Sequence, residues 1–459
     1  MPSQSIIAVA TAAGPAGVGI LRLSGPQAVA AAQTLFRASD GRPLSHQAAR
    51  TMTHGRLVSG LGAVLDVVLA VRFSAPASYT GEDVVEIHAH GGSAHLQSLL
   101  EVFLEAGARL EGGLRLAKPG EFTQRSFLAG KLDLAQAEAV ADLIHSQAAL
   151  ARQAAGKRLQ GGLSSALDGL RQTLLAVLAE AEAACDHPEE EEQLSGAARW
   201  RALLEGAAAQ MDGLLAGART GRLLREGMRV ALCGAPNAGK SSLFNALLGS
   251  QRSIVHAQPG TTRDYVEAPF QIEGFPMVLV DTAGLRQGQG EVEQEGIRRS
   301  REIAREAEVR LLLVDGSSAL KGVAVPEGSG ELLVLRTKAD LPRAWSAAPL
   351  GVESEALEVS ALSGAGMEEL RRRLLVLALG GTEAGELPEA QLATLRHEDA
   401  LRCARSSVAV ALYTLHGQGS PELVAVDARA ALDAVGEIVG ATTRAEVVEE
   451  IFRRFCIGK

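Results

Sequence analysis

The stretch VALCGAPNAGKSS, residues 230–242, decides how the middle of this 459-residue chain is interpreted. The apolar run 229–233 predicts a buried strand, and residues 243–248 predict a helix. Between them, a Gly-x4-Gly-Lys-Ser spacing lets backbone amides turn toward an anion at the start of the helix. The stretch therefore predicts the phosphate-binding loop of a nucleotide-binding domain, rather than an ordinary glycine-rich turn.

Two side chains of this loop have predicted roles in nucleotide chemistry. Lys240 is expected to reach the β- and γ-phosphates, and the Ser241 hydroxyl is expected to bind Mg²⁺. The residues of the loop predicted to contact a nucleotide are Asn237, Ala238, Gly239, Lys240, Ser241 and Ser242.

Two later segments predict the switches of a nucleotide hydrolase. Residues 260–264, GTTRD, predict the first switch, in which Thr262 completes the coordination of Mg²⁺. The apolar run 277–281 predicts a strand ending in Asp281, the Mg²⁺-linked aspartate of the second switch. The residues predicted to lie at the nucleotide in these segments are His256, Ala257, Gln258, Pro259, Gly260, Thr261, Thr262, Asp281, Thr282, Ala283 and Gly284.

A third group of residues predicts which base is bound. The apolar runs 309–315 and 331–336 predict strands of a covered parallel sheet. Past the second, Asp340 can accept from the N1–H and 2-amino groups of guanine, whereas adenine would present it with an acceptor. Thr337 occupies the position that is usually Asn in the guanine-binding motif. Its hydroxyl is expected to link the base-binding loop to the phosphate loop. The residues expected beside the base are Thr337, Lys338, Asp340, Ser360, Ala361 and Leu362.

The composition limits the classes of protein to which the chain can belong. A net charge of −9 argues against broad nonspecific coating of nucleic acid, although one local basic site is still allowed. The four cysteines have no C-x-x-C spacing, which indicates neither a disulfide framework nor a zinc site. The apolar stretch 6–20 contains Gly and Pro and predicts neither a signal peptide nor a membrane span. These features predict a cytoplasmic protein that does not enter a membrane.

The first 119 residues read as an α+β region. Within it Glu86, His88 and His90 are expected to share one face of a strand. The two histidines could suggest a metal, but no third ligand is evident, so ordinary strand histidines are favoured. The predicted strands are residues 6–10, 19–23, 64–73 and 83–90.

Helical patterns fill most of the remaining chain. Residues 135–184 form an almost continuous helical pattern, and 389–415 and 420–454 form two more. The acidic run 186–192 predicts a solvated loop. An apolar stripe predicted to be the core of a helix bundle consists of Leu163, Leu167, Leu170, Leu174 and Leu178.

Four segments outside the nucleotide motifs resemble the MnmE (TrmE) family of tRNA-modifying GTPases. They are residues 17–25, 79–86, 118–134 and the terminal FCIGK, 455–459. The resemblance implies a multidomain α/β and α fold with a bundle interrupted by an inserted Ras-like P-loop domain. That domain has a mostly parallel sheet with helices on both faces. The implied domains are a folate-binding and dimerising α+β domain at 1–119, a helical domain at 120–225 and 382–459, and the G domain at 226–381.

The resemblance also implies ligands for the flanking domain. The residues implied to contact 5-formyl- or 5,10-methylene-tetrahydrofolate are Arg22, Glu86, Lys131 and Lys459. Cys456, in the terminal signature, is implied to be a functional thiol. From the residues alone, Arg22, Glu86 and Lys131 would read as surface ion-pairing groups, because nothing in the sequence shows that they converge.

The catalytic apparatus departs from that of Ras-type enzymes. Leu285 stands where those enzymes place the glutamine that orients water, and no arginine finger is evident. The resemblance implies that a K⁺ ion replaces the finger and that Glu293 orients water indirectly. The implied ligands of the K⁺ ion are Asn237, His256, Gln258 and Thr261.

The implied function is a K⁺-stimulated GTPase activated by dimerisation. With a flavin-dependent partner, MnmG (GidA), in a heterotetramer, it would install a carboxymethylaminomethyl or aminomethyl group at C5 of the wobble uridine of certain tRNAs. A tetrahydrofolate would supply the one-carbon unit. Two alternatives remain: a ribosome-assembly or signalling GTPase, and a folate-dependent one-carbon transferase with a regulatory GTPase domain.

Overall fold

The computed structural model describes residues 4–186, 193–249, 266–281, 302, 304–319, 325–345, 356–381, 392–417 and 420–459. These residues divide into two compact units. Unit 1 comprises residues 1–141 and 436–459, and unit 2 comprises residues 142–435. The last part of the chain is thus counted with the N-terminal region, and the domain boundaries given above remain predictions.

Unit 1 is built around a seven-stranded sheet. Its strands are β1 Ser5–Val9, β2 Ala16–Ser24, β3 Phe36–Ala38, β4 Thr53–Val58, β5 Val64–Phe73, β6 Val84–Gly91 and β7 Leu114–Leu116. Its helices are α1 Ala28–Leu35, the 3₁₀ helix Leu44–His46, α2 Ser93–Gly107, α3 Glu121–Leu128 and α13 Ala445–Arg453.

The sheet order is β3-β4-β5-β6-β2-β1-β7, and only the β1–β7 pair is parallel. Helices α1 and α2 pack on one face, where Leu21, Ile87 and Phe103 are fully buried. The expected α+β architecture and its four strands are therefore confirmed. The sequence did not predict β3, β4 or β7, which are short or interrupted by glycine.

Unit 2 contains a second sheet and most of the long helices. Its strands are β8 Met228–Gly234, β9 Val266–Ile272, β10 Phe275–Asp281, β11 Val309–Asp315, β12 Glu331–Thr337 and β13 Leu357–Glu358. Its helices are α5 Ala149–Leu159, α6 Gly162–Asp186, α7 Gln193–Ala216, α8 Ala218–Glu226, α9 Lys240–Leu248, α10 Met367–Ala378 and α11 Leu395–His416. Two helices, α4 Leu134–His145 and α12 Pro421–Val439, contain residues of both units.

The second sheet has the order β13-β12-β11-β8-β10-β9, with β9 antiparallel and the other pairs parallel. Successive residues of β8 point to opposite faces, and both faces are buried: Val230 and Leu232 lie in one apolar cluster, and Ala231 and Cys233 lie in another. A parallel sheet covered on both sides is the arrangement predicted for the nucleotide-binding domain. Because parallel strands end at the same edge, the C-terminal ends of β8, β10, β11 and β12 lie along one edge of the sheet.

The predicted helical stretch 135–184 is divided into α4, α5 and α6. Ala148 has an extended backbone with ψ 147°, and Gly161 has φ 87°, so both interrupt the helix. The amide of Leu150 donates to the carbonyl of Gly274 in the β9–β10 turn at 3.0 Å, which satisfies the start of α5 through a tertiary contact. The leucine stripe of α6 is at most 5% exposed throughout, which confirms its place in the core.

The last helical pattern, 420–454, is also interrupted. Gly440 has φ 91°, and a Cβ atom built on it would lie 2.8 Å from the ring of Phe127. Only glycine combines this backbone conformation with so close an approach. The chain can therefore turn between α12 and α13, so that Phe452 packs in a small core with Leu134.

Within the described residues, every helix is too short or too polar to cross a membrane.

We predict that Gly440→Ala destabilises unit 1 more than Gly41→Ala. Both glycines have positive φ, for which alanine costs about 1–2 kcal/mol, but Gly41 has no atom within 4 Å of its built Cβ. Overpacking against Phe127 adds about 1–3 kcal/mol. Hydrogen exchange of unit 1 amides in the full chain measures the difference. Equal losses in the two variants would contradict the proposed contact.

Candidate functional site

The loop between β8 and α9 has the backbone of an anion-binding site. Gly234, Asn237 and Gly239 all have positive φ, of 140°, 64° and 92°. A Cβ atom on Gly234 would lie 2.4 Å from the carbonyl of Leu313, so no larger residue fits. Helix α9 begins at Lys240, and the amides of its first turn have no partner within the helix. The loop and helix start therefore fit a phosphate group.

The Lys240 side chain is buried across this loop. Its Nζ atom donates to the carbonyls of Gly234 and Ala235 at 2.8 and 2.7 Å. The ammonium is thus held over the loop, where a bound phosphate would meet it. Ser241 and Ser242 follow in the first turn of α9 and are exposed.

Asp281 is the last residue of β10 and pairs in register with Leu232 of β8. This register places it at the same sheet edge as the phosphate loop. The remaining residues predicted for the switches lie outside the described residues, as do Leu285 and the predicted catalytic Glu293. Those of the switches are His256, Ala257, Gln258, Pro259, Gly260, Thr261, Thr262, Thr282, Ala283 and Gly284.

Thr337, at the end of β12, is joined to the phosphate loop. Its buried hydroxyl donates to the carbonyl of Ala238 at 2.8 Å and lies 3.2 Å from that of Val314. The expected tie between the two loops is therefore present, with threonine making the contact that the sequence assigned to it.

The other base-side residues are held by neighbouring strands. Lys338 has φ 58°, and its Nζ atom pairs with Asp315 at 2.6 Å. The pKa of Asp315 is lowered, because hydrogen bonds from Lys338 and Ser317 outweigh the opposing effect of burial. Asp340 accepts from the Ser360 hydroxyl at 2.5 Å. Ala361 and Leu362 follow Ser360, and Leu362 is 88% exposed.

The sequence interpretation did not single out Asp315 as a functional residue. Its signal was available, because Asp315 ends a buried strand just as Asp281 does. Its pairing with Lys338 could not be predicted, because Asp315 ends β11 whereas Lys338 follows β12, a separate segment of the chain.

In unit 1, Arg22 and Glu86 lie opposite each other on β2 and β6, and their side chains meet at 2.8 Å. The Arg22 guanidinium also lies 5.8 Å from the Tyr79 ring and 5.7 Å from the Phe122 ring. His88 Nε2 is 3.7 Å from Glu86. A charged pair flanked by aromatic rings is thus formed on this face of the sheet.

The C-terminal residues lie against the same pair. Gly458 has φ 97°, and its carbonyl is 3.4 Å from Arg22 Nη1. The carbonyl of Lys459 accepts from the amide of Phe122 at 3.2 Å, at the start of α3. Burial and the charge of Arg22 lower the pKa of the Lys459 ammonium, opposed by the attraction of Glu86. Three of the four predicted folate residues are thus brought together.

The fourth, Lys131, is exposed after α3, and its Cε lies 3.8 Å from the Cβ position of Gly81 in the β5–β6 loop. Cys456 is an exposed cysteine that forms no disulfide, and its backbone carbonyl accepts from the amide of Gly120 at 3.3 Å. The sequence interpretation missed Tyr79 and Phe122 as site residues, although both belong to the segments that carry the resemblance.

A buried ion-pair group positions α3. Glu121 accepts from Arg115, at 2.7 and 2.5 Å, and from Arg125, at 2.8 Å. Burial raises the pKa of Glu121, but these hydrogen bonds prevail and lower it to about 2. Arg125 also pairs with Glu82 at 2.8 Å. The group fixes the helix start that receives the C-terminal residues.

One strand histidine and one helix histidine share a carboxylate partner. His90 Nδ1, on β6, and His95 Nε2, on α2, lie 2.6 and 2.9 Å from the two oxygens of Asp66. Burial raises the pKa of Asp66, but the hydrogen bond from the His90 amide, together with those from the two imidazoles, lowers it to about 2. Across the ranges described, no group of three or more His, Cys, Asp and Glu residues is arranged to hold a metal ion.

Comparison with known proteins gives matches along the whole chain. Residues 134–456 match the model of the MnmE helical domain, and residues 5–131 match that of the N-terminus of the GTP-binding protein TrmE.

Curated relatives named tRNA modification GTPase MnmE cover nearly all of the chain. That of Symbiobacterium thermophilum is 40% identical, and that of Phenylobacterium zucineum is 43% identical; in both, 100% of each sequence is covered. That of Thermus thermophilus is 41% identical over 99% of this chain and 98% of its own length. The chain therefore belongs to the MnmE family.

Proposed function

We propose that this chain is a GTP hydrolase that acts in tRNA modification. The observation that carries the proposal is the meeting of a phosphate loop and a guanine-type loop at one sheet edge, joined by Thr337, in a chain whose full-length relatives are named tRNA modification GTPases. The amides at the start of α9 and the ammonium of Lys240 bind the phosphates. Asp340 accepts from the guanine edge, as its position on the β12 loop allows.

Mg²⁺ would be held by Ser241 and Thr262, and it would neutralise charge on the β- and γ-phosphates. Asp281 lies at the same sheet edge as Ser241, which supports this assignment. Thr262 lies outside the described residues.

The finer function is a proposal that rests on the family. The chain works as a homodimer with a flavin-dependent MnmG-type partner and modifies C5 of the wobble uridine of certain tRNAs. A ribosome-assembly or signalling GTPase would leave the terminal FCIGK and its contacts with Arg22 unexplained. The second alternative, a folate-dependent one-carbon transferase, would differ from the proposed function only in the molecule that receives the one-carbon unit.

We predict that a strain lacking this chain accumulates tRNA without the C5 substituent on its wobble uridines. Mass spectrometry of tRNA nucleosides measures the loss, and the intact gene should restore the substituent. Because hydrolysis is expected to drive the modification, the variant Lys240→Ala should not restore it. Unchanged nucleosides in the deletion strain would reject the tRNA function, and purified chain without GTPase activity would reject the hydrolase function.

The proposal of K⁺ as the cation in the hydrolysis site is supported by Asn237. This residue lies at positive φ in the phosphate loop and is exposed. K⁺ would supply positive charge where an arginine finger acts in other GTPases. The other proposed ligands, His256, Gln258 and Thr261, lie outside the described residues.

We predict that GTP hydrolysis is several-fold faster in KCl than in NaCl at equal ionic strength. Asn237→Ala should abolish the difference while GTP still binds, because the amide oxygen would no longer hold the cation. The matched control is Asn245→Ala, which changes an exposed asparagine in α9 beyond the loop. Equal rates in both salts for the parent chain would reject the K⁺ assignment.

The folate proposal is supported by the convergence of Arg22, Glu86 and Lys459 beside Tyr79 and Phe122. Glu86 has the acceptor oxygens that pterin N–H groups require, and the cations suit a glutamyl carboxylate. The aromatic rings provide flat apolar surface for a pterin ring. Cys456 lies in the same terminal segment, and we propose it as a functional thiol.

We predict that the full chain binds 5-formyltetrahydrofolate and that Lys131→Ala weakens binding by about 10- to 150-fold, since a charged hydrogen bond contributes about 1.5–3 kcal/mol. Titration calorimetry measures the affinity. Lys157→Ala, which changes an exposed lysine of α5 in unit 2, should leave it unaltered. The assignment of the folate site is rejected if the parent chain does not bind 5-formyltetrahydrofolate, or if Lys131→Ala binds it as tightly as the parent chain.

A further inference from the structure

A buried cation lies directly behind the guanine-type loop. Arg336 immediately precedes Thr337 on β12 and is only 5% exposed. Its guanidinium stacks on the ring of Trp345, with 4.2 Å between Cζ and the ring centroid, and its Nη1 atom pairs with Glu358 at 2.5 Å. An arginine stacked on an indole and shielded from water makes one of the stronger cation–π contacts.

Trp345 extends this contact to the next strand. Its indole N–H donates to the carbonyl of Asp315 at 2.9 Å. The carboxylate of Asp315 in turn pairs with Lys338. Trp345 and Asp315, at the end of β11, thus connect the Arg336 guanidinium to Lys338, which is expected to lie beside the base.

Glu358 extends the contact in the other direction. It lies two residues before Ser360, whose hydroxyl donates to Asp340. Because Arg336 pairs with Glu358, it joins the ends of β12 and β13, the strands that lead into both base-side loops. Lys338 is held at φ 58°, a conformation that a lysine rarely adopts unless its surroundings enforce it.

We propose that Arg336, stacked on Trp345, is a positioning residue that aligns Asp340 and Lys338 and thereby sets the preference for guanine. This inference rests on the proposed GTP-binding function. Arg336 does not touch the nucleotide, and it acts through Glu358 and Trp345. Its charge adds to the Ser360–Asp340 hydrogen bond in stabilising the relative geometry of the two base-side loops.

The test compares GDP with IDP on the full chain. Hypoxanthine lacks the 2-amino group of guanine, so IDP forms one hydrogen bond fewer to Asp340. Arg336→Met keeps the length and apolar stem of the side chain and removes its charge. We expect GDP affinity to fall about tenfold, which corresponds to the loss of a desolvated cation–π contact, and IDP affinity to fall less. The ratio of the two affinities therefore shrinks, while kcat at saturating GTP changes less than twofold.

The matched control is Arg310→Met. Arg310 is a buried arginine of the neighbouring strand β11, and its guanidinium donates to the carbonyls of Pro326 and Gly330 at the opposite end of the sheet. Its loss should lower the stability of unit 2 without changing the GDP-to-IDP ratio. Trp345→Phe provides a second variant, because it keeps an aromatic ring but removes the N–H that bonds to Asp315, and it should also reduce the ratio.

The outcomes are distinguishable. A parent chain that prefers GDP and variants at Arg336 and Trp345 that keep the same ratio would overturn the inference while leaving the GTPase function intact. An equal fall in the ratio for Arg310→Met would also overturn it, because the effect would then be general destabilisation. A parent chain that binds neither nucleotide would reject the proposed function and the inference together.

Discussion

The hydrogen bond from Thr337 to the carbonyl of Ala238 is the contact on which the nucleotide region depends. It joins a loop after β12 to the loop after β8, although β11 lies between these strands in the sheet. The two loops can meet only because parallel strands deliver them to the same edge. A buried carbonyl left without this donor would cost about 1–3 kcal/mol, so the contact stabilises one relative placement of the phosphate and base loops.

A similar closure operates in unit 1, where the end of the chain returns to its beginning. The amides of Gly120 and Phe122, at the start of α3, donate to the carbonyls of Cys456 and Lys459, and a glycine at φ 97° turns the chain there toward β1. That turn brings the terminal carbonyls to the Arg22–Glu86 pair. The position of α3, held by the buried carboxylate of Glu121, therefore helps to place the C-terminal residues against this pair.

Elements with a strong hydrophobic pattern were predictable from the sequence, because each pattern lies within a single segment of the chain. The mostly apolar strands β8 and β11 and the leucine stripe of α6 were identified because each carries a continuous or periodic apolar pattern within one segment. Strand β4 was missed because Gly55 and polar residues mask its alternation, and glycine is required there by the Phe36 ring. The breaks at Ala148 and Gly440 were missed because their causes, the β9–β10 turn and the Phe127 ring, come from distant parts of the chain.

The sequence by itself determined the chemistry of the nucleotide region, because the Gly-x4-Gly-Lys-Ser loop and Asp340 carry their functions at fixed spacings within single segments. It also carried the motifs of the MnmE family. Only the tertiary structure decided which charges converge. Arg22 and Gly458 are separated by nearly the whole chain, and Arg336 reaches Trp345 and Glu358 across neighbouring segments. Such contacts depend on strand register and helix ends, which no local pattern specifies.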